Sequence, residues 1–187
     1  MTISKADLRG LVREREAALT PEERRASDSL LVRRFLASPE YRRAGCVLFY
    51  AGCGFEPDTR PLIEAALRAG KTAALPRIAA PGVMEARRVG ALSELVPDRF
   101  GIPAPPPDSE IIPPEAFDLI LVPGAAFAPD GARLGRGGGY YDRYLPRTRG
   151  VKIALARRGS VFPGLPVEEH DVRVDRLITD GDAGAAV

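Results

Sequence analysis

Asp118-Leu119-Ile120-Leu121-Val122, an unbroken apolar run behind one carboxylate, is the stretch on which the fold of this chain turns. Its length suits a strand, and a strand apolar on both sides is one covered on both faces, as in a parallel sheet. Upstream, Cys46-Val47-Leu48-Phe49-Tyr50 and Lys71-Thr72-Ala73-Ala74-Leu75 repeat the pattern. Between those two, Thr59-Arg60-Pro61 opens a helix that runs through Ala69 and stops at Gly70. Strand, helix and strand in that order predict a βαβ unit. Downstream, Lys152 to Ala156 and Val174 to Thr179 supply two more strands, and Val83 to Val89 reads as an edge strand or part of a small β-lobe. At the N-terminus, Ser4 caps a helix carrying Leu8, Leu11, Val12, Ala18 and Leu19 at helical spacing. Thr20, Pro21 and Glu23 form a capping box for a second helix to about Ala37, ended by Ser38-Pro39-Glu40. The expected fold is α/β. It is a three-layer α/β/α arrangement around a mostly parallel, Rossmann-like sheet, with an N-terminal helical pair packed on it, in one domain over residues 1–187.

Hydrophobic residues make up 45% and charged residues 28% of the chain, a globular balance, and no apolar run approaches the length of a membrane span. A net charge of +2 is too small to argue for nucleic acid. Arg13, Arg15, Arg24 and Arg25 alternate with Glu14, Glu16, Glu22 and Glu23, which reads as a solvated, ion-paired helix surface. The N-terminus lacks a hydrophobic leader segment, so the expected location is cytoplasmic, with neither membrane nor nucleic-acid partners and a monomeric state. Cys46 and Cys53 lack metal-ligand spacing and read as inert thiols. His170 is the single histidine, so most chemistry falls to Lys, Arg, Glu, Asp and Tyr. Six prolines between Pro103 and Pro114, interrupted by Ile111-Ile112, read as a stiff connection, either hinge or crossover.

Just beyond the decisive strand comes Arg133-Leu134-Gly135-Arg136-Gly137-Gly138-Gly139-Tyr140-Tyr141-Asp142. Glycines expose amide N–H groups that can converge on an anion, and the arginines add fixed positive charge. A terminal carboxylate can hold the metal ion that accompanies a polyphosphate. A flexible surface loop followed by a core tyrosine pair is the plain alternative. The segment is not a Walker A loop, because Tyr140-Tyr141 stands where Lys-Ser/Thr is required, and it lies too late for a dinucleotide fingerprint. In open α/β sheets ligands bind beyond the carboxyl ends of the strands. Residues 51–59, Pro76-Arg77 and residues 123–142 all follow predicted strands, so they converge on one sheet edge.

With its flank Val122-Pro123-Gly124-Ala125-Ala126-Phe127, this segment resembles the signature of the 5-formyltetrahydrofolate cyclo-ligase family, also called methenyltetrahydrofolate synthetases. Lys5-Ala6-Asp7-Leu8-Arg9, Glu56-Pro57-Asp58-Thr59, Pro76-Arg77 with Met84, and Glu169-His170-Asp171 with Val174-Asp175 are similar to further family elements in the same order. The resemblance covers about residues 5 to 180.

That resemblance implies ATP-dependent closure of 5-formyltetrahydrofolate to 5,10-methenyltetrahydrofolate. The formyl group on N5 is a poor electrophile with a poor leaving group. Phosphorylation of its oxygen by ATP answers both difficulties, after which N10 attacks and phosphate departs. Such a transfer depends on positioning and charge neutralisation. The resemblance places ATP on Lys5, Arg9, Arg133, Leu134, Gly135, Arg136, Gly137, Gly138, Gly139, Tyr140 and Tyr141. It places the folate on Glu56, Arg77, Met84, Arg136, Gly137, Gly138, Gly139 and Tyr140. Mg²⁺ falls to Asp142 and Asp171, and the catalytic roles to Arg136, Tyr140 and Asp142. Plain structural roles compete with some of these: exposed charge for Lys5 and Arg9, a helix cap for Glu56, packing for Met84, a turn for Asp171. One stretch departs from the family pattern. Arg157-Arg158-Gly159-Ser160 stands where the family usually has an aromatic residue and, three positions later, a glutamine. A paralogue acting on another formylated or amide metabolite, or a non-catalytic nucleotide- or folate-binding protein, are the alternative readings.

Overall fold

The computed structural model describes residues 3–181. Two helices open the chain, α1 (Lys5–Ala17) and α2 (Pro21–Ala37), and both start on capping boxes, Ser4 with Asp7 and Thr20 with Glu23. Each box satisfies backbone N–H groups that the first helical turn leaves orphaned. A short helix α3 (Pro39–Arg43) leads into β1 (Cys46–Leu48), followed by α4 (Arg60–Arg68) and β2 (Thr72–Ala80). A turn at Gly82 joins β2 to β3 (Val83–Val89). The small ladder of β4 (Val96–Pro97) and β5 (Pro103–Ala104) precedes β6 (Leu119–Leu121). A hairpin of β7 (Ala126–Phe127) and β8 (Arg133–Leu134) then gives way to α5 (Tyr140–Tyr144), β9 (Val151–Ala156) and β10 (Arg176–Thr179).

Six strands form one sheet in the order β10-β9-β6-β1-β2-β3. All neighbours are parallel except β2 and β3, so Val83–Val89 is an antiparallel edge strand. The decisive strand lies beside β1, with Val47 opposite Leu119 and Leu48 opposite Ile120. From β1 the chain winds outward through β2, and from β6 it winds the other way through β9 and β10. The winding therefore reverses between β1 and β6, where loops leaving the two strands diverge and open a crevice.

Strand alternation sends Val47, Phe49, Ala73, Leu75, Leu119, Leu121, Ile153 and Leu155 to one face, against Leu31 and Phe35 of α2 and Leu62, Ile63 and Ala66 of α4. Leu48, Ala74, Ile120, Val122, Ala154 and Ala156 point to the other, under Phe117, Phe127, Tyr144 and Leu145. That second layer is thin, made of short helical turns and loops rather than long helices. The N-terminal pair divides. Helix α2 packs on the sheet, whereas Leu8 and Val12 of α1 pack on Ala126 and Leu134 of the β7–β8 hairpin and on Phe162. The physical reason is occupancy, since α2, α3 and α4 already cover the helical face and leave no sheet for α1.

The proline-rich segment is a crossover that runs beside the sheet's outer edge. Arg88 donates its N–H to the Glu110 carbonyl at 2.8 Å, and Ile112 donates to the Ala86 carbonyl at 2.9 Å. Among the described residues, no helix is long and apolar enough to cross a membrane.

Candidate functional site

The loop after β1 is closed by Thr59, fully buried, whose hydroxyl donates to the Tyr50 carbonyl and accepts the Gly52 N–H at 3.1 Å. This closure throws Glu56 inward. Its carboxylate accepts the Cys53 N–H at 3.1 Å and pairs with Arg136 Nε at 3.1 Å. The side chain of Glu56 is only 9% exposed, and burial raises its pKa although Arg136 opposes the shift. Glu56 is thus a buried charge whose counter-ion, Arg136, is half exposed and also donates to the Cys53 carbonyl, and it is not a helix cap.

The loop after β6 builds the facing wall. Arg133 turns inward, where its guanidinium pairs with Asp142 and donates to the Pro123 carbonyl at 3.2 Å. Leu134 is core, packed against α1. Gly137 and Gly139 have φ of +101° and +64°, left-handed backbone that disfavours a side chain. Arg143, the residue after Asp142, holds the run in place by donating to the Gly138 carbonyl at 2.6 Å and the Gly82 carbonyl at 3.0 Å. From α1, Arg9 reaches over and donates through Nε to the Gly135 carbonyl at 2.9 Å.

These loops enclose two cavities. The larger, about 650 Å³, is lined among others by Met84, Ile78, Phe100, Tyr140 and Tyr141, with Asp142 at its wall. The smaller, about 360 Å³, has Arg9 and Arg13 of α1 on one side and Arg157 and Ser160 on another. Glu56, Gly124 and Arg136 line both. The Glu56–Arg136 pair therefore stands at the boundary between an apolar, aromatic chamber and a cationic one. A planar organic ligand suits the first and a polyanion the second.

Two carboxylates lie at the far end of the glycine run. Asp142 accepts from Arg133 and, at 3.4 Å, from the Val172 N–H, which brings it beside Asp171. Lys5 donates to Asp171 at 2.8 Å and pairs with Glu168 at 2.9 Å. Burial alone would raise the Asp171 pKa, but Lys5, the Glu168 N–H and His170 outweigh it and hold it below the usual value. Among the described residues no group of three or more His, Cys, Asp or Glu side chains could hold a metal ion. Two carboxylates nonetheless suit Mg²⁺, which commonly takes one or two from the protein and completes its shell with water and phosphate oxygens. The second Asp142 oxygen lies on the side of Gly135.

Most residues singled out from the sequence thus meet at the β1–β6 switch. Arg9, Glu56, Met84, Gly135, Arg136, Gly138, Gly139, Tyr140, Tyr141 and Asp142 face or bound the cavities, and Lys5 and Asp171 form the adjacent ion pair. Three are not brought in, of which Gly137 lines neither cavity. Arg77 donates to the Pro105 carbonyl at 2.7 Å, bracing the proline-rich segment, while its neighbours Pro76 and Ile78 line the larger cavity. Leu134 offers no side chain to a ligand. Cys53 lies inside the site, and burial raises its thiol pKa, with Glu56 adding to the shift. Residues missed by sequence reasoning include Tyr50 and Phe100. Phe100 sits 56% exposed in a turn that Asp98 holds by accepting its N–H at 2.8 Å. An aromatic between Arg99 and Gly101, where a polar turn residue is usual, was the available signal.

Known proteins resemble this chain in sequence and in fold. Residues 1–180 match the 5-formyltetrahydrofolate cyclo-ligase family. A 5-formyltetrahydrofolate cyclo-ligase of Mus musculus is 30% identical over 188 residues, spanning 94% of this chain and 93% of its own. One from Escherichia coli (strain K12) is 33% identical over 175 residues, spanning 90% and 96%. The solved structure of Aquifex aeolicus 5,10-methenyltetrahydrofolate synthetase superposes with a TM-score of 0.86 at 35% identity, covering 95% of this chain and 90% of that one. With its fold and nearly its whole length matched, the chain belongs to the 5-formyltetrahydrofolate cyclo-ligase family.

Proposed function

We propose that the protein closes 5-formyltetrahydrofolate to 5,10-methenyltetrahydrofolate with ATP, releasing ADP and phosphate. One observation carries the reading: Arg136 lines both a cationic cavity and an aromatic one, and the glycines beside it, Gly135, Gly138 and Gly139, form part of the wall of the second. The pteridine enters the larger chamber, where Met84 and Tyr140 supply apolar surface and Glu56 accepts ring N–H groups. The triphosphate lies along the glycine run from the smaller chamber, against Arg9 and Arg136. Lys5 supports it from α1.

In this reading Arg136 leaves Glu56 when the folate arrives and turns its charge to the phosphates. It then neutralises charge as the γ-phosphoryl group passes to the formyl oxygen. N10 attacks the activated formyl carbon, the phosphate leaves with its oxygen, and the N10 proton passes to solvent. Asp142 and Asp171 would hold Mg²⁺, which when bound neutralises phosphate oxygens and orients the transferring group. Arg133 and Lys5 hold those two carboxylates in place beforehand. The Arg157–Ser160 departure falls on the smaller cavity, and neither residue lines the larger, which favours the folate reading over a paralogue with another acceptor.

The test is direct. Purified protein mixed with 5-formyltetrahydrofolate, Mg²⁺ and ATP is expected to show an ATP-dependent rise in the near-ultraviolet absorbance of the methenyl product. No rise at high enzyme concentration, with folded protein, sinks the reading.

A further inference from the structure

The residue that breaks the family pattern, Arg157, is 3% exposed at the end of β9, and it is no stray charge. Its Nη1 donates to Glu16 of α1 at 2.9 Å and to the backbone carbonyl of Phe55 at 3.0 Å. Its Nη2 donates to Asp28 of α2. Burial raises the Asp28 pKa, and Arg157 and the nearby backbone N–H of Asp58 oppose the rise. One guanidinium thus joins two helices, a strand end and the loop after β1. A buried network of this kind is a weak source of net stability, because desolvation consumes most of the Coulomb gain. What it does supply is geometry, since charge-assisted hydrogen bonds are directional.

We propose that Arg157 is a positioning residue for the substrate site: with Asp28 it grips the chain at Phe55 and Asp58, on either side of Glu56, and so fixes where that carboxylate stands. Glu56 is tied locally to Cys53 and Arg136: its carboxylate accepts the Cys53 N–H and pairs with Arg136, its own N–H donates to the Cys53 carbonyl at 3.3 Å, and Arg136, 49% exposed, donates to that carbonyl as well. Without the grip, departure of Arg136 would leave the loop to carry its buried charge toward solvent. The inference rests on the reading of Glu56 as a folate ligand, and on no property of the nucleotide.

Steady-state kinetics of three variants test it. E56Q comes first, and is expected to raise the folate KM; an unchanged KM there removes Glu56 from the folate site and takes the proposal with it. The triple variant R157M/E16Q/D28N removes the grip without leaving an uncompensated buried charge. It is expected to fold, with a native circular dichroism spectrum, and to show a folate KM raised about tenfold with kcat within about threefold, and a smaller rise in the ATP KM, since Arg157 and Glu16 also line the smaller cavity. In the E56Q background the triple change is expected to add little, because its target is already gone. A folded triple variant with a normal folate KM overturns the proposal, as does an equal rise in both KM values. If the triple variant does not fold, D28N decides: it abolishes the charge at the Asp58 grip alone and is expected to raise the folate KM several-fold, and an unchanged value is equally fatal.

Discussion

Arg133 shows how little a residue's type reveals about its task. A family resemblance assigns it to ATP, yet its guanidinium is almost wholly buried and committed to Asp142, a pairing that holds the carboxylate where a metal would need it. Asp142→Asn is therefore expected to do two things. Turnover falls by about 10²-fold or more, as removal of a group stabilising transition-state charge usually causes. Stability also drops by about 3 kcal/mol, because Arg133 is left as an unpaired buried charge, which urea unfolding measures. A variant with lost stability and normal turnover would place the metal elsewhere. Glu16 makes a second residue-scale prediction. Burial raises its pKa against the pull of Arg157 and Arg24, so the folded chain holds the proton more tightly than the unfolded chain. Its favourable contribution is complete below the unfolded value of about 4.5 and is lost as pH rises through the folded one. The stability of Glu16→Gln relative to wild type is expected to shift in the variant's favour as pH rises from mildly acid to neutral. Urea unfolding at both ends of that window checks the sign.

Among the elements, what carries a local signature was legible and what depends on docking was not. Apolar runs marked β1, β6, β9 and β10, and capping residues marked α1 and α2, because those signals act over a few residues. Strand β2 extends through Pro76 to Ala80, beyond the Leu75 expected, because pairing with β3 recruits residues that have no strand pattern of their own. The two-residue strands β7 and β8 are invisible in sequence for the same reason, and with them the seat of α1. Site residues in the glycine run were readable from composition. Tyr50, Phe100 and the Phe55 carbonyl were not, since only tertiary folding turns them toward the cavities. The glycine run itself can be tested as an element. A Cβ at Gly139 would lie 2.7 Å from Arg143 Nη1, on a backbone of positive φ. Gly139→Ala is expected to lose about 1–2 kcal/mol of stability from the left-handed backbone alone. It should also lose activity as Arg143 releases Gly138, and a variant with wild-type melting and turnover would show the run to be slack.

Across the whole molecule, the two cavities share Glu56, Gly124 and Arg136, so filling one alters the wall of the other. Reciprocal coupling follows if Arg136 must leave Glu56 before both ligands can sit. Thermal unfolding with saturating 5-formyltetrahydrofolate, with a non-hydrolysable ATP analogue and Mg²⁺, and with both together measures it. Each ligand at 100 times its Kd is expected to add about 2.7 kcal/mol of stability, and the pair to add more than the sum. Strict additivity would mean that the shared wall transmits nothing.

The borders of the sheet have a consequence for the protein's life before it is folded. On one side the proline-rich crossover occupies the hydrogen-bonding groups of Arg88 and Ala86, and its prolines have few N–H groups to offer a newcomer. On the other, Arg34 of α2 donates to the carbonyls of Thr179 and Gly181 beside β10. A newly made chain would find these particular edge groups claimed once the two flanks settle, so their docking is expected to limit strand-on-strand association while folding is still incomplete.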